Sequence, residues 1–226
     1  MFPIRDHNPT GGPVVVVWLL LGANVLIFLM ALTQGGAEGV FEYALRYGVV
    51  PANLLADPLG ESPRLLTHLF MHGGWAHLLG NMIFLFVFGD NIEDRLGHAG
   101  FALFYLGGGL VAAVIQVLLV YDSPFPMVGA SGAISAVLGA YIVLYPRKQV
   151  QAVVVPLVLP WLLLNLLIRT PRFFLWWLPA WVYLGFWILL QVWEGMADFA
   201  LTGGVAWWAH VAGFAFGALV SRWLVR

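Results

Sequence analysis

The chain has 226 residues, 62% of them hydrophobic and 9% charged, with a formal net charge of -1 and a mean hydropathy of +0.90. Soluble domains carry about 25% charged residues, so this composition is that of an integral membrane protein, and ten scattered Lys and Arg residues offer no basic stripe to a nucleic acid. The absence of cysteine excludes disulfides, thiolate catalysis and cysteine-bound metals.

In chain order, Val14 to Leu32 is the first apolar run of the roughly 20 residues that a helix needs to cross a bilayer core. It is longer than the core of a secretory signal, and Arg5 is the one fixed positive charge before it, so it reads as an uncleaved anchor behind a tail of residues 1–13. Ala76 to Gly89, Ala99 to Tyr121, Ser131 to Tyr145, Phe174 to Trp193 and Trp207 to Leu224 predict five further spans. Val150 to Ile168 is also apolar, but Pro156 and Pro160 interrupt helical hydrogen bonding there, so it reads as an interfacial segment in preference to a seventh crossing.

Charge supports that count. Six spans with the amino terminus inside put Arg5, Arg95, Arg147, Lys148, Arg169, Arg172, Arg222 and Arg226 in the cytoplasm and only Arg46 and Arg64 outside. The expected fold class is an all-α membrane protein, a six-helix bundle formed by one domain over residues 14–226. Gln34 to Trp75 becomes a long outside loop, punctuated by Pro51, Pro58 and Pro63. Both termini are expected in the cytoplasm, and the inner membrane of a prokaryotic cell is the expected location.

Chemistry concentrates at the outer ends of three spans. Gly129-Ala130-Ser131-Gly132 opens the fourth span, so Ser131 sits at a helix amino terminus, where unpaired amides and the helix dipole favour a developing oxyanion. His210 lies near the outer end of the sixth span within Ala209-His210-Val211-Ala212-Gly213. Gly132, Ala136 and Ala140 recur every fourth residue, as do Gly213 and Gly217, and two such small faces let helices approach closely enough for His210 to reach Ser131. Small-residue faces are also ordinary packing devices, so this motif alone does not establish catalysis.

The second span adds His77 and Asn81, four apart on one helix face, as donors for an oxyanion together with the Ser131 amide. Metal ligation is the competing use of His68, His72 and His77, but no His-Glu-x-x-His pattern is present and a Gly-Gly break separates them, so no metal and no cofactor are expected. His72 reads as a loop-anchoring hydrogen bond, His7 and His98 as solvated loop residues, and Asn24 and Asn165 as structural polar groups.

Taken together, these motifs resemble those of the rhomboid intramembrane serine proteases over nearly the full chain. The family's Gly-x-Ser-Gly matches Gly129 to Gly132, its His-x-x-x-Asn matches His77 and Asn81, its Ala-His-x-x-Gly matches Ala209 to Gly213, and its further upstream histidine matches His72. The resemblance implies a Ser131 nucleophile, His210 as general base and acid, and an oxyanion site of His77, Asn81 and the Ser131 amide, supported by Gly129, Gly132, His72 and Gly213. It implies no third carboxylate, and no acid in the sequence is suitably placed to orient His210.

Asp90 to Arg95 resembles the family's loop after the second span, with Glu93 and Arg95 expected as an intracellular polar clasp. The chain departs from the family at Pro63-Arg64, where many members have Trp-Arg, and at Ser135, where some carry an aromatic that stacks on the histidine. The implied partners are the membrane segments of single-span substrate proteins, entering beside the second and fifth spans, and the surrounding bilayer. Trp181, Trp187 and Trp193 are candidates to line that entry, whereas Trp176, Trp177, Trp207 and Trp208 read as an interfacial belt. A non-catalytic client-binding relative and a small transporter are the alternatives; spans almost free of charge speak against the transporter.

Overall fold

The computed structural model describes residues 1–153, 175–197 and 205–223. The fold is mostly helical. Helix α1 (Val16–Thr33) is followed by four short helices, α2 (Ala37–Tyr47), α3 (Pro51–Ala56), α4 (Pro58–Glu61) and α5 (Arg64–Thr67), and a 3-10 turn at His68–Phe70. The long α6 (Trp75–Leu119), α7 (Ser131–Leu144), α8 (Ala180–Ala197) and α9 (Trp207–Ser221) complete the helical set. Among the described residues, α1 and α6 are long and apolar enough to cross a membrane, and α7 and α9 are shorter apolar helices.

At about 1.5 Å per residue, α6 is roughly twice the length of a single crossing. It is broken at Gly97, whose φ of 70° lies in the left-handed region that glycine adopts without a Cβ penalty. The expected second and third spans are therefore the two arms of this broken helix. The Asp90 to Arg95 segment continues its first arm as helix, where the sequence suggested a loop.

That helical turn holds the amino-terminal end of α1. Glu93 is buried and accepts the amides of Val15, Val16 and Val17 at 2.8 Å each, filling the donors that a helix start leaves unpaired. His98 Nδ1 lies 2.6 Å from the same carboxylate; its ring is solvent-exposed as expected, but it stands on a helix and pairs with Glu93, where a loop residue was expected. Asn91 exchanges two 2.7 Å hydrogen bonds with Asn8, and Asp94 accepts the Gly11 amide.

A small sheet is the feature the all-α reading lacks. Strand β1 (Phe2–Asp6) pairs antiparallel with β2 (Gln149–Val153), which pairs antiparallel with β3 (Leu175–Pro179). The tail thus forms an edge strand, and the start of the expected fifth span is strand up to Pro179, with helix from Ala180. Trp177 packs its ring 4.0 Å from that of His7 and under the Arg5 guanidinium, so its role is to pack this sheet. Asp6 accepts a hydrogen bond from the Tyr141 hydroxyl of α7, tying sheet to bundle. The remainder of Val150 to Ile168, Asn165, Arg169, Arg172, Phe174 and the end of the last span at Leu224 to Arg226 lie outside the described residues.

The core sits around α7. Every residue from Gly132 to Tyr141 is buried, packed against Leu85, Phe88 and Tyr105 of α6 and Leu184 of α8. Outward faces are apolar: Trp18, Leu19 and Leu26 on α1 and Leu189, Trp193 and Met196 on α8 are all exposed, as suits surfaces facing lipid.

Candidate active site

Small residues bring α7 and α9 together. A Cβ placed on Gly213 or Gly217 of α9 would overlap the carbonyl oxygens of Gly132 and Ala136 on α7, and one on Gly139 would overlap that of Phe214. This contact carries His210 to the serine: His210 Nε2 lies 2.8 Å from Ser131 Oγ. His210 is buried, and Ser131 is partly buried at the first turn of α7.

The other ring nitrogen is also engaged. His210 Nδ1 lies 2.7 Å from Oε1 of the buried Gln191 on α8. Trp187 and Trp207 hold the ring from two directions, each with its centroid 6.0 Å from that of His210, at 34° and 89°. Ser135, at the position where some family members stack an aromatic, instead donates to the Ser131 carbonyl at 2.6 Å. Gln116 of α6 accepts the Ala209 amide at 2.9 Å, satisfying a donor at the start of α9.

Sequence reading missed both glutamines. Their signal was present: each is a lone polar group inside an apolar span, which in hydrocarbon calls for a partner. A neutral amide can orient an imidazole as a carboxylate does, so the absence of a suitably placed acid does not leave His210 without an orienting group.

The loop before Ser131 is shaped from outside the bundle. Val49 and Met127 form an isolated antiparallel bridge, and the Gly129 amide donates to the His68 carbonyl at 2.9 Å. Gly129 has φ 119°, a conformation that side chains resist, and a Cβ there would sit 2.6 Å from His77 Nε2 and 3.6 Å from Asn81 Nδ2. His77 and Asn81 therefore face the backbone two residues before the serine. Asn81 is buried and its Nδ2 has no hydrogen-bond partner.

His72 stands behind His77, ring centroids 5.1 Å apart. Both ring nitrogens are buried with no closely aligned hydrogen-bond partner, and the loop contact nearest to the expected anchor is the Phe70 backbone. Burial, with His77 beside it, holds the His72 pKa down at about 3. His68 instead sets its Nδ1 3.0 Å from the Arg64 carbonyl, and burial lowers its pKa to about 4. Arg64 anchors the segment between α1 and α6 through Glu61 at 2.9 Å and the Leu45 carbonyl at 3.3 Å.

Fold and site together describe a helical membrane protein in which a partly buried serine meets a buried histidine where three helices converge. A family profile for the rhomboid domain matches residues 59–226, and the chain belongs to the rhomboid family. It is 34% identical over 140 residues to Rhomboid protease GluP of Bacillus subtilis (strain 168), covering 61% of this chain and 26% of that protein. It is 39% identical over 83 residues to Putative rhomboid protease YdcA of the same organism, 37% of this chain and 41% of that one. RHOMBOID-like protein 5 of Arabidopsis thaliana is 31% identical over 167 residues, 61% of this chain and 54% of the plant protein. The matched region thus spans about a quarter to a half of these relatives' lengths.

Proposed function

We propose that this protein is an intramembrane serine endopeptidase that cleaves the membrane segments of single-span proteins. The carrying observation is the 2.8 Å contact between Ser131 Oγ and a buried His210 whose second nitrogen is also engaged. The rhomboid protease names of two bacterial relatives support the same chemistry.

In the proposed reaction Ser131 Oγ attacks the scissile carbonyl while His210 Nε2 takes the hydroxyl proton. The carbonyl oxygen becomes an oxyanion beside the first amides of α7, including that of Ser131, with Asn81 Nδ2 and His77 as side-chain donors. The unpartnered Asn81 amide suits this role, since it holds a donor ready for a charge that exists only in the transition state. The tetrahedral intermediate collapses, the C–N bond breaks, and His210 returns the proton to the leaving amine. Water then attacks the acyl-serine, giving its proton to His210, which passes it to the departing Ser131 oxygen. A helical substrate hides its carbonyls in hydrogen bonds, so one with Gly or Pro near the scissile bond unwinds at lower cost.

The proposed topology has six crossings and cytoplasmic termini. Its support is the charge distribution together with the sheet: Val153 and Leu175 are register partners, so the chain leaves β2 and enters β3 on one side of the membrane. Because the chain has no cysteine, a single Tyr43→Cys reports the side directly; labelling only after permeabilisation would reverse the orientation.

The deciding experiment is reaction of the purified chain with a fluorophosphonate, followed by cleavage of a reporter membrane segment. Labelling at Ser131 and a cleaved reporter are expected. A folded protein that does neither is a client-binding relative.

A further inference from the structure

We propose that Gln191 is a positioning residue for His210, a neutral third member that selects the tautomer in which Nε2 can act as base. The proposal rests on the serine-protease reading above and departs from a two-residue dyad.

The geometry fixes the direction of each bond. Gln191 Nε2 donates to the Trp187 carbonyl at 3.3 Å, which turns Oε1 toward His210 Nδ1 at 2.7 Å. An amide oxygen only accepts, so Nδ1 must carry the proton. Nε2 is then left with its lone pair facing Ser131 Oγ at 2.8 Å. Without Gln191, no other hydrogen bond to Nδ1 among the described residues favours this form, and the opposite tautomer would donate to Ser131 and block proton abstraction.

A carboxylate would make the same bond and also stabilise the imidazolium, but an ion in this setting carries a desolvation cost that an amide avoids. Among the described residues, the titratable groups facing His210 are His77 of α6, with His72 behind it, and Ser131 of α7. On α8 and α9 the neighbours are Trp187, Gln191 and Trp207, all uncharged, and Glu194 on α8 is exposed. Because the bond crosses from α8 to α9, Ser131 is activated only when α8 is seated against α9.

The test measures fluorophosphonate labelling rate and reporter kcat and KM against pH, with a melting midpoint, for wild type, Gln191→Met and Gln191→Glu. Gln191→Met should lose about 10²-fold in labelling rate and kcat, the lower end of a positioned general base's contribution, with KM nearly unchanged. Gln191→Glu should recover activity at high pH with its acid limb moved up by about one unit or more, because a carboxylate beside Nδ1 favours imidazolium. An acid limb in Gln191→Glu identical to wild type would overturn the proposal whether or not Gln191→Met folds. So would a well-folded Gln191→Met within threefold of wild type. A wild-type protein that fails to label overturns the protease reading itself, an outcome distinct from either.

Discussion

A methyl group on Gly213 would overlap the carbonyl oxygen of Gly132, so α7 and α9 meet backbone against backbone one residue beyond the serine. Gly213→Ala must separate the helices there, and the separation acts directly on the Ser131 to His210 contact. A misplacement of about 1 Å costs on the order of 10² in rate, which is the expected fall in phosphonate labelling. A labelling rate equal to wild type would mean that the helices absorb the methyl elsewhere.

Ser131→Ala and His210→Ala should each abolish reporter cleavage. Both residues lie at the end of a helix interface carried by glycine and alanine, so each variant should keep the melting behaviour of the wild type within a few degrees. Residual turnover in Ser131→Ala at the wild-type rate would remove the nucleophile assignment.

Asn81→Ala and His77→Ala should fail by less. One oxyanion donor is worth about 10²–10³ in turnover, and each variant leaves Ser131 and the other donors in place. Both should still react with phosphonate, and the double variant should be slower than either alone. If Asn81→Ala turns over saturating substrate as fast as wild type, Asn81 only packs against Gly129.

Much of this site was legible because spacing alone places residues on a helix face. His77 with Asn81, and Gly213 with Gly217, follow from a four-residue interval, and the structure brings Ser131, His210, His77, Asn81 and Gly129 together. Gln191 was not found because its relation to His210 crosses two helices, and no interval along the chain encodes that. The sheet was hidden for another reason. Leu175 to Pro179 is apolar and continuous with the helix after it, so hydropathy cannot mark where strand ends, and Gln149 to Val153 is too short to show a period. Likewise Asp90 to Leu96 is polar enough to resemble a loop, although its polarity serves the start of α1.

Glu93→Ala should destabilise the fold without touching the site. It removes the acceptor of three amides at the start of α1, and bonds to a charged group are worth about 1.5–3 kcal/mol each, although not additively. The melting midpoint should fall by about 4–8 °C for a net loss near 2 kcal/mol. Glu93→Gln keeps an acceptor and should fall less. Equal midpoints for Glu93→Ala and wild type would show that water replaces the carboxylate at no cost.

Acid should destabilise the segment between α1 and α6. His68 and His72 have folded-state pKa values of about 4 and about 3, below the ordinary 6.5, so the unfolded chain binds more protons between those limits. The stability present above pH 6.5 is therefore lost as pH falls toward 4. His72→Phe removes a buried group that must take up a proton in acid, and should melt higher than wild type at pH 5 relative to pH 8. An acid slope unchanged in His72→Phe would exclude His72 from this linkage.

The antiparallel sheet also imposes an order on assembly. Phe2 pairs with Val153, so β1 leaves the ribosome some 150 residues ahead of its partner, and β2 gains its second neighbour only when Leu175 follows. At about 5–20 residues per second, the newborn tail waits on the order of ten seconds while α1, α6 and α7 are delivered to the bilayer. Closure of the strands is thus a late event in biogenesis, a latch that can engage only once the residues of the serine's helix have been made.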